Sequence, residues 1–167
     1  MAKKIFIAAT MQNDGKTTVS LGLISVLKKH FKRIGFIKPI GQRYLIEQGY
    51  KVDEDSVLIE AVFGINCDQC TIKDMSPVAI EKGFTERYIE NGPEQDFTKL
   101  IRDSFERIAR DSDLVVIEGT GHAGVGSVFD LSNATVARLL DANAILISSG
   151  GIGRPIDEVM LNKPLFD

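Results

Sequence analysis

The 167-residue sequence is poor in several residue types that mark out whole classes of protein. It holds two cysteines, Cys67 and Cys70, too few for the disulfide framework of a small secreted domain. No apolar run approaches the roughly 18 residues needed to cross a bilayer. Neither sign of charge is in excess: Lys+Arg 20 against Asp+Glu 23 leaves a net charge of -3. That balance argues against a general nucleic-acid binder, which carries surplus positive charge on one face. The apolar stretch Ile5–Ala9 is too brief for a signal peptide and leads directly towards Gly15-Lys16-Thr17-Thr18, so it reads as a first strand. There is no internal repeat and no low-complexity linker. What survives these absences is a cytoplasmic, enzyme-sized single domain over residues 1–167 with no membrane or nucleic-acid partner.

The hydrophobic period alternates between strand and helix lengths. Strands are expected over 3–9, 33–40, 114–117 and 144–147, the last two fully buried. Helices are expected from Gly15 to Phe31, Asp53 to Phe63, Glu94 to Arg110, Leu131 to Leu140 and from Ile156 onwards. Their apolar stripes are Val19, Leu23, Val26 and Leu27 in the first, Val57, Leu58, Ala61 and Val62 in the second, and Phe97, Ile101, Phe105 and Ile108 in the third. Residues 64–92 are the least regular, and Gly119 to Gly126 reads as a glycine-rich loop. Strand-helix alternation with near-continuous aliphatic strands predicts an α/β, three-layer fold built on a mostly parallel sheet covered on both faces. Ligands of such sheets sit beyond the carboxyl ends of the strands, so the residues just after each strand are the informative ones.

After the first strand comes Thr10-Met11-Gln12-Asn13-Asp14-Gly15-Lys16-Thr17-Thr18, a variant phosphate-binding loop with Thr10 where the strict pattern has glycine. Such a loop turns backbone N–H groups towards phosphate oxygens at a helix N-terminus. Asn13, Asp14, Gly15, Lys16, Thr17 and Thr18 are the candidate nucleotide-binding residues. Lys16 would reach the β- and γ-phosphates, and the Thr17 hydroxyl would ligate Mg²⁺. The strand Leu114–Ile117 ends in Glu118, which places a carboxylate beside the loop, fit to bind Mg²⁺ or orient its water. These features point to a P-loop nucleoside triphosphate hydrolase fold that takes a nucleoside triphosphate with Mg²⁺, the nucleobase left open.

Gly15-Lys16-Thr17, Lys38-Pro39, Asp55 and Glu118-Gly119-Thr120-Gly121 together resemble dethiobiotin synthetase. They are similar also to the ATPase domains of cobyrinic and cobyric acid synthases and to the amino-terminal domain of some phosphotransacetylases. The resemblance runs from about Lys3 to Glu158. It implies that Lys38 faces the reacting carbamate and the γ-phosphate, and that Asp55 and Glu118 join Thr17 at the metal. Lys16 and Lys38 are then the catalytic candidates. The implied function is ATP-dependent ligase chemistry in a cytoplasmic homodimer, activating a small-molecule carboxylate or carbamate by γ-phosphoryl transfer. The rival is a nucleotide-binding regulatory domain that does not turn ATP over. Because that family continues for at least another strand and helix, the resemblance also implies a domain cut short at its C-terminus, without its last strand and base-binding segment.

The chain departs from the dethiobiotin synthetase pattern in several places. Ala9 stands where that family's longer phosphate loop has its first glycine, and Ile40-Gly41-Gln42 stands where a serine follows Lys-Pro. Met11 occupies the position of the signature lysine of the partition-protein branch, which argues against that branch. Gly121, His122 and Gly150 are candidate acceptor contacts, with Arg87 and Tyr88 further out. Cys67-Asp68-Gln69-Cys70 has the spacing of half a zinc site or a redox pair. With no second pair in the chain, two reduced thiols are expected.

Overall fold

The computed structural model describes residues 2–64 and 67–167. Its centre is a four-stranded parallel sheet of β1 (Lys3–Ala9), β2 (Ile34–Ile37), β7 (Leu114–His122) and β8 (Asn143–Ile147), in the order β2-β7-β1-β8. β1 and β7 are central, and Phe6, Ile7, Val115, Val116 and Ile117 are wholly buried, so both faces of the sheet are covered. The helices on those faces complete a three-layer α/β fold. Two smaller sheets flank it: β3 (Ile40–Gly41) pairs with β6 (Val78–Ala79) in parallel, and β4 (Tyr44–Glu47) pairs with β5 (Tyr50–Asp53) as an antiparallel hairpin. Gln48 and Gly49 form the hairpin turn, both at positive φ as a two-residue connection requires.

The helices are α1 (Lys16–Leu27), α2 (Glu54–Phe63), α3 (Ile72–Met75), α4 (Phe84–Asn91), α5 (Phe97–Arg110), α6 (Asn133–Leu139) and α7 (Arg154–Asn162). α5 buries the expected stripe of Phe97, Ile101, Phe105 and Ile108. The first two helices follow the expected stripes only in part: Leu23, Leu27 and Val57 pack against the core, but the most buried positions lie to one side of the stripe. α1 buries Lys16, Ser20 and Ile24 while Val26 is exposed; α2 buries Ser56 and Ile59 while Leu58 and Val62 are exposed. In both, the inward stripe carries a serine with a hydrogen-bond partner elsewhere in the fold, Ser20 on Glu118 of β7 and Ser56 on the Met75 carbonyl of α3, so apolarity alone misplaces the face.

Three strand expectations need correction. The strand expected over 33–40 divides at Lys38-Pro39 into β2 and β3, which lie in different sheets. β7 does not stop at Ile117 but continues through the glycines to His122, with a shift of register opposite Ile7 and Ala9. β8 is not a buried strand. Asn143, Ala144 and Ile145 are exposed, because β8 is the outermost strand, with β1 as its only neighbour among the described residues. Cys67 and Cys70 are joined as a disulfide rather than being two free thiols. Their turn brings the Cα atoms to 5.3 Å, inside the range such a bridge spans. No helix among the described residues is long and apolar enough to cross a membrane.

Candidate functional site

Strand register assembles the site. β1 and β7 pair Ile7 with Glu118, so this carboxylate lies alongside the end of β1, where the loop 10–15 begins. β2 and β7 pair Ile37 with Ile117, which puts Lys38 next to Glu118 across the following position. The loop then turns into α1 through Asn13 and Gly15, at φ 67 and φ 90. Gly15 caps the helix without a side-chain hydrogen bond, and the first turn holds no acidic residue. N–H groups at such a helix start are suited to hold an anion.

A cavity of about 270 Å³ opens here. Asn13, Gly15, Lys16, Thr17 and Thr18 form one wall, and Lys38, Asp55, Glu118 and Gly121 face them. Lys16 Nζ donates to the Gly121 carbonyl at 3.0 Å. Burial lowers the pKa of this lysine, while Glu118 opposes the shift. Glu118 has no solvent exposure and accepts from Thr17 Oγ1 at 3.0 Å and from Ser20 Oγ at 2.6 Å. Burial pushes its carboxyl above the ordinary range, against the attraction of Lys38.

Lys38 is the electrostatic centre. Its ammonium bonds to Asp55 Oδ2, lies 3.0 Å from Asp53 Oδ1 and lies 3.6 Å from Glu118 Oε1. Burial alone would lower its pKa, but Asp53, Glu118 and Asp55 overbalance that and hold it above the usual lysine range. Asp53 also caps α2, accepting from the Asp55 N–H at 3.1 Å, and is itself pushed up by burial. The donors around this cluster are all oxygens: Thr17, Glu118, Asp55 and Asp53. Such a set fits Mg²⁺, which binds through one or two carboxylates and completes its shell with waters and phosphate oxygens. Among the described residues no three Cys, His, Asp or Glu side chains form a ready-made metal cage. Here the Lys38 ammonium stands between the carboxylates.

Other candidates lie elsewhere. Asp14 is turned back into its own loop, accepting from Thr10 Oγ1 and the Met11 N–H, each at 2.9 Å. His122 is exposed, its Nδ1 accepting from the Gly124 N–H, and Gly150 is exposed beyond β8; neither lines the cavity. Tyr88 packs against Phe84 and Phe129, and Arg87 pairs with Glu94, which places both outside the cavity.

Three residues that apolar and motif patterns do not flag hold the site together. Asp53 supplies the second aspartate on Lys38, and Ser20 the second donor to Glu118. Asn133, also buried, accepts from the Thr120 N–H at 3.0 Å and donates to the carbonyls of Thr120 and His122 at 2.6 and 2.7 Å. This clamp holds the end of β7, and with it the Gly121 carbonyl that receives Lys16. The one legible signal among the three is Lys16 and Ser20 at helical i, i+4 spacing. Gln42 and Arg43 add an outer wall to the cavity.

A family model described as an AAA domain matches residues 3–167. Similar proteins include a phosphate acetyltransferase of Pseudomonas aeruginosa, 29% identical over 86% of this chain and 19% of that protein. They also include an ATP-dependent dethiobiotin synthetase BioD of Methanococcus vannielii, 25% identical over 89% of this chain and 66% of that protein. A third is a probable cobyric acid synthase of Methanocaldococcus jannaschii, 27% identical over 91% of this chain and 35% of that protein. The chain thus spans about a fifth of the first relative's length, a third of the last and just under two thirds of the synthetase. With the phosphate loop, the parallel sheet and the match over nearly its whole length, the chain belongs to the AAA-domain family of P-loop proteins.

Proposed function

We propose that this domain binds ATP with Mg²⁺ in the cavity between α1 and the ends of β2 and β7, and transfers the γ-phosphoryl group to a small carboxylate or carbamate. One observation carries this reading: Lys16 and Thr17 at the start of α1, Lys38 just after β2 and Glu118 within β7 converge on one cavity at a helix N-terminus free of side-chain caps. The α1 N–H groups and Lys16 hold the phosphates. Thr17, Glu118 and Asp55 are the residues that would hold Mg²⁺, which when bound neutralises phosphate charge. Lys38, at the opposite wall, orients the acceptor and stabilises the charge that builds on the transferring group.

In the transfer, a carboxylate oxygen of the acceptor forms a bond to the γ-phosphorus while the bond to the ADP oxygen breaks. The mixed anhydride is then attacked by a nitrogen nucleophile, and phosphate leaves. No imidazole base is needed, in keeping with His122 lying outside the cavity. The dethiobiotin synthetase and cobyric acid synthase relatives support a ligase; the phosphate acetyltransferase, of which the chain spans about a fifth, keeps a nucleotide-binding module within a larger protein as the rival reading. The full set of Lys16, Thr17, Lys38, Asp55 and Glu118 gathered at one cavity favours turnover.

The test is ATP turnover across a panel of small carboxylates and carbamates, with wild type and Lys38→Ala. At least one acceptor should stimulate phosphate release, and Lys38→Ala should lower the stimulated rate about a hundredfold. Tight ATP binding that no acceptor converts to turnover, with Lys38→Ala unchanged, rejects the enzyme reading in favour of the binding module.

A further inference from the structure

Lys38 stands where the cavity's carboxylates meet. Its ammonium touches Asp55, lies 3.0 Å from Asp53 and lies 3.6 Å from Glu118. It is also 7% exposed, so water screens these contacts little. Two of the three acids are ones the proposed function gives to Mg²⁺. A divalent cation held by Asp55 and Glu118 would sit against the Lys38 ammonium in its present place and repel it. We infer that Lys38 is a tethered cation that neutralises the carboxylate cluster in the metal-free protein, and that it must give up this seat for metal to bind. The inference rests on the proposed function, because it takes the metal to belong to this cavity.

Two features of the chain fit such an exchange. Lys38 sits at the junction of β2 and β3, with its backbone N–H bonded to the Met75 carbonyl at 2.8 Å, so its main chain is fixed and only the side chain need move. The open cavity lies directly beside it, lined on the far side by Lys16 and Thr17. A Lys38 side chain that leaves the acids enters the space assigned to the phosphates and the acceptor. Metal loading and delivery of the Lys38 charge to the reacting groups then become one event. This also avoids leaving buried carboxylates without a counter-charge when no metal is present, a state that is strongly unfavourable.

The probe is Mn²⁺ alone, without nucleotide, with the free ion quantified by electron paramagnetic resonance against the full chain. Lys38→Met should bind Mn²⁺ about tenfold more tightly than wild type, or more, because the competing charge is gone. Lys38→Arg, which keeps a cation, should not. Equal or weaker Mn²⁺ binding by a folded Lys38→Met overturns the inference. Should Lys38→Met fail to fold, wild type decides, through the ¹⁵N-detected ammonium signal of Lys38. That signal should shift or broaden as Mg²⁺ and ATP are added, and a signal unmoved at saturation overturns the exchange. A parallel titration of wild type with Mn²⁺ and ATP together separates the two ideas. Wild type that holds Mn²⁺ only with ATP, beside a Lys38→Met no tighter for Mn²⁺, sinks the exchange alone; wild type that never holds ATP sinks the proposed function itself.

Discussion

At the residue scale, the site depends on close approaches that permit no larger side chain. A Cβ at Gly41 would stand 2.5 Å from Asp53 Oδ2 and 2.6 Å from its Cβ, so glycine is what lets the Asp53 carboxylate reach Lys38. Gly41→Ala should therefore cost about 1–3 kcal/mol by overpacking, read as a lower midpoint in urea unfolding. Asn133→Ala removes the clamp on β7 and leaves the Thr120 N–H and two carbonyls without their partner. The expected loss is about 2–3 kcal/mol in the same assay, with weaker ATP binding as the Gly121 carbonyl drifts from Lys16. Residues at this scale differ in how legible they are from sequence. Lys16 and Thr17 are contiguous with the turn that aims them, and Glu118 follows the aliphatic run 114–117 of β7, so local spacing reveals all three. Asp53 looks like any helix-capping acid. Its burial depends on Gly41 and on the β4–β5 hairpin returning the chain, and neither leaves a local trace.

At the element scale, strand existence was easier to read than strand extent. β7 runs on to His122 because Asn133 supplies hydrogen bonds to a glycine-rich segment that by composition resembles a loop. The inward faces of α1 and α2 are hard to read for a related reason: their buried positions include Lys16, Ser20 and Ser56, whose partners lie far along the chain on β7 and α3. α5 is plain because its stripe is purely apolar. Its join to α3 depends on charge. Burial would raise the Asp74 carboxyl, but hydrogen bonds from Arg107, the Thr71 N–H and Ser104 hold it below the ordinary carboxylate range. A depressed folded-state pKa contributes stability that is fully present above the unfolded value, near ~3.9, and is lost as pH falls through the folded one. Wild type should thus exceed Asp74→Asn in stability by a constant margin above about pH 5, shrinking below about pH 4. Arg107 is partly exposed, so solvent screening keeps that margin modest. Urea unfolding at a series of pH values measures it.

At the scale of the whole molecule, the sheet gathers its charged residues at one end and leaves its outer strand, β8, exposed. Fold class was legible because long aliphatic runs alternate with helices. The openness of β8 was not, since an edge strand with Ala144-Ile145-Leu146-Ile147 has the composition of a buried one. The P-loop site is formed by β1, β2 and β7, and this is the end of the sheet proposed to receive the phosphates of ATP. The most direct test is calorimetric titration of the full chain with ATP and Mg²⁺, comparing wild type with Lys16→Met. The account predicts one nucleotide per chain, held at least about tenfold more weakly by Lys16→Met, because a charge-assisted contact to phosphate is removed. No binding by wild type, or equal binding by both, would contradict it.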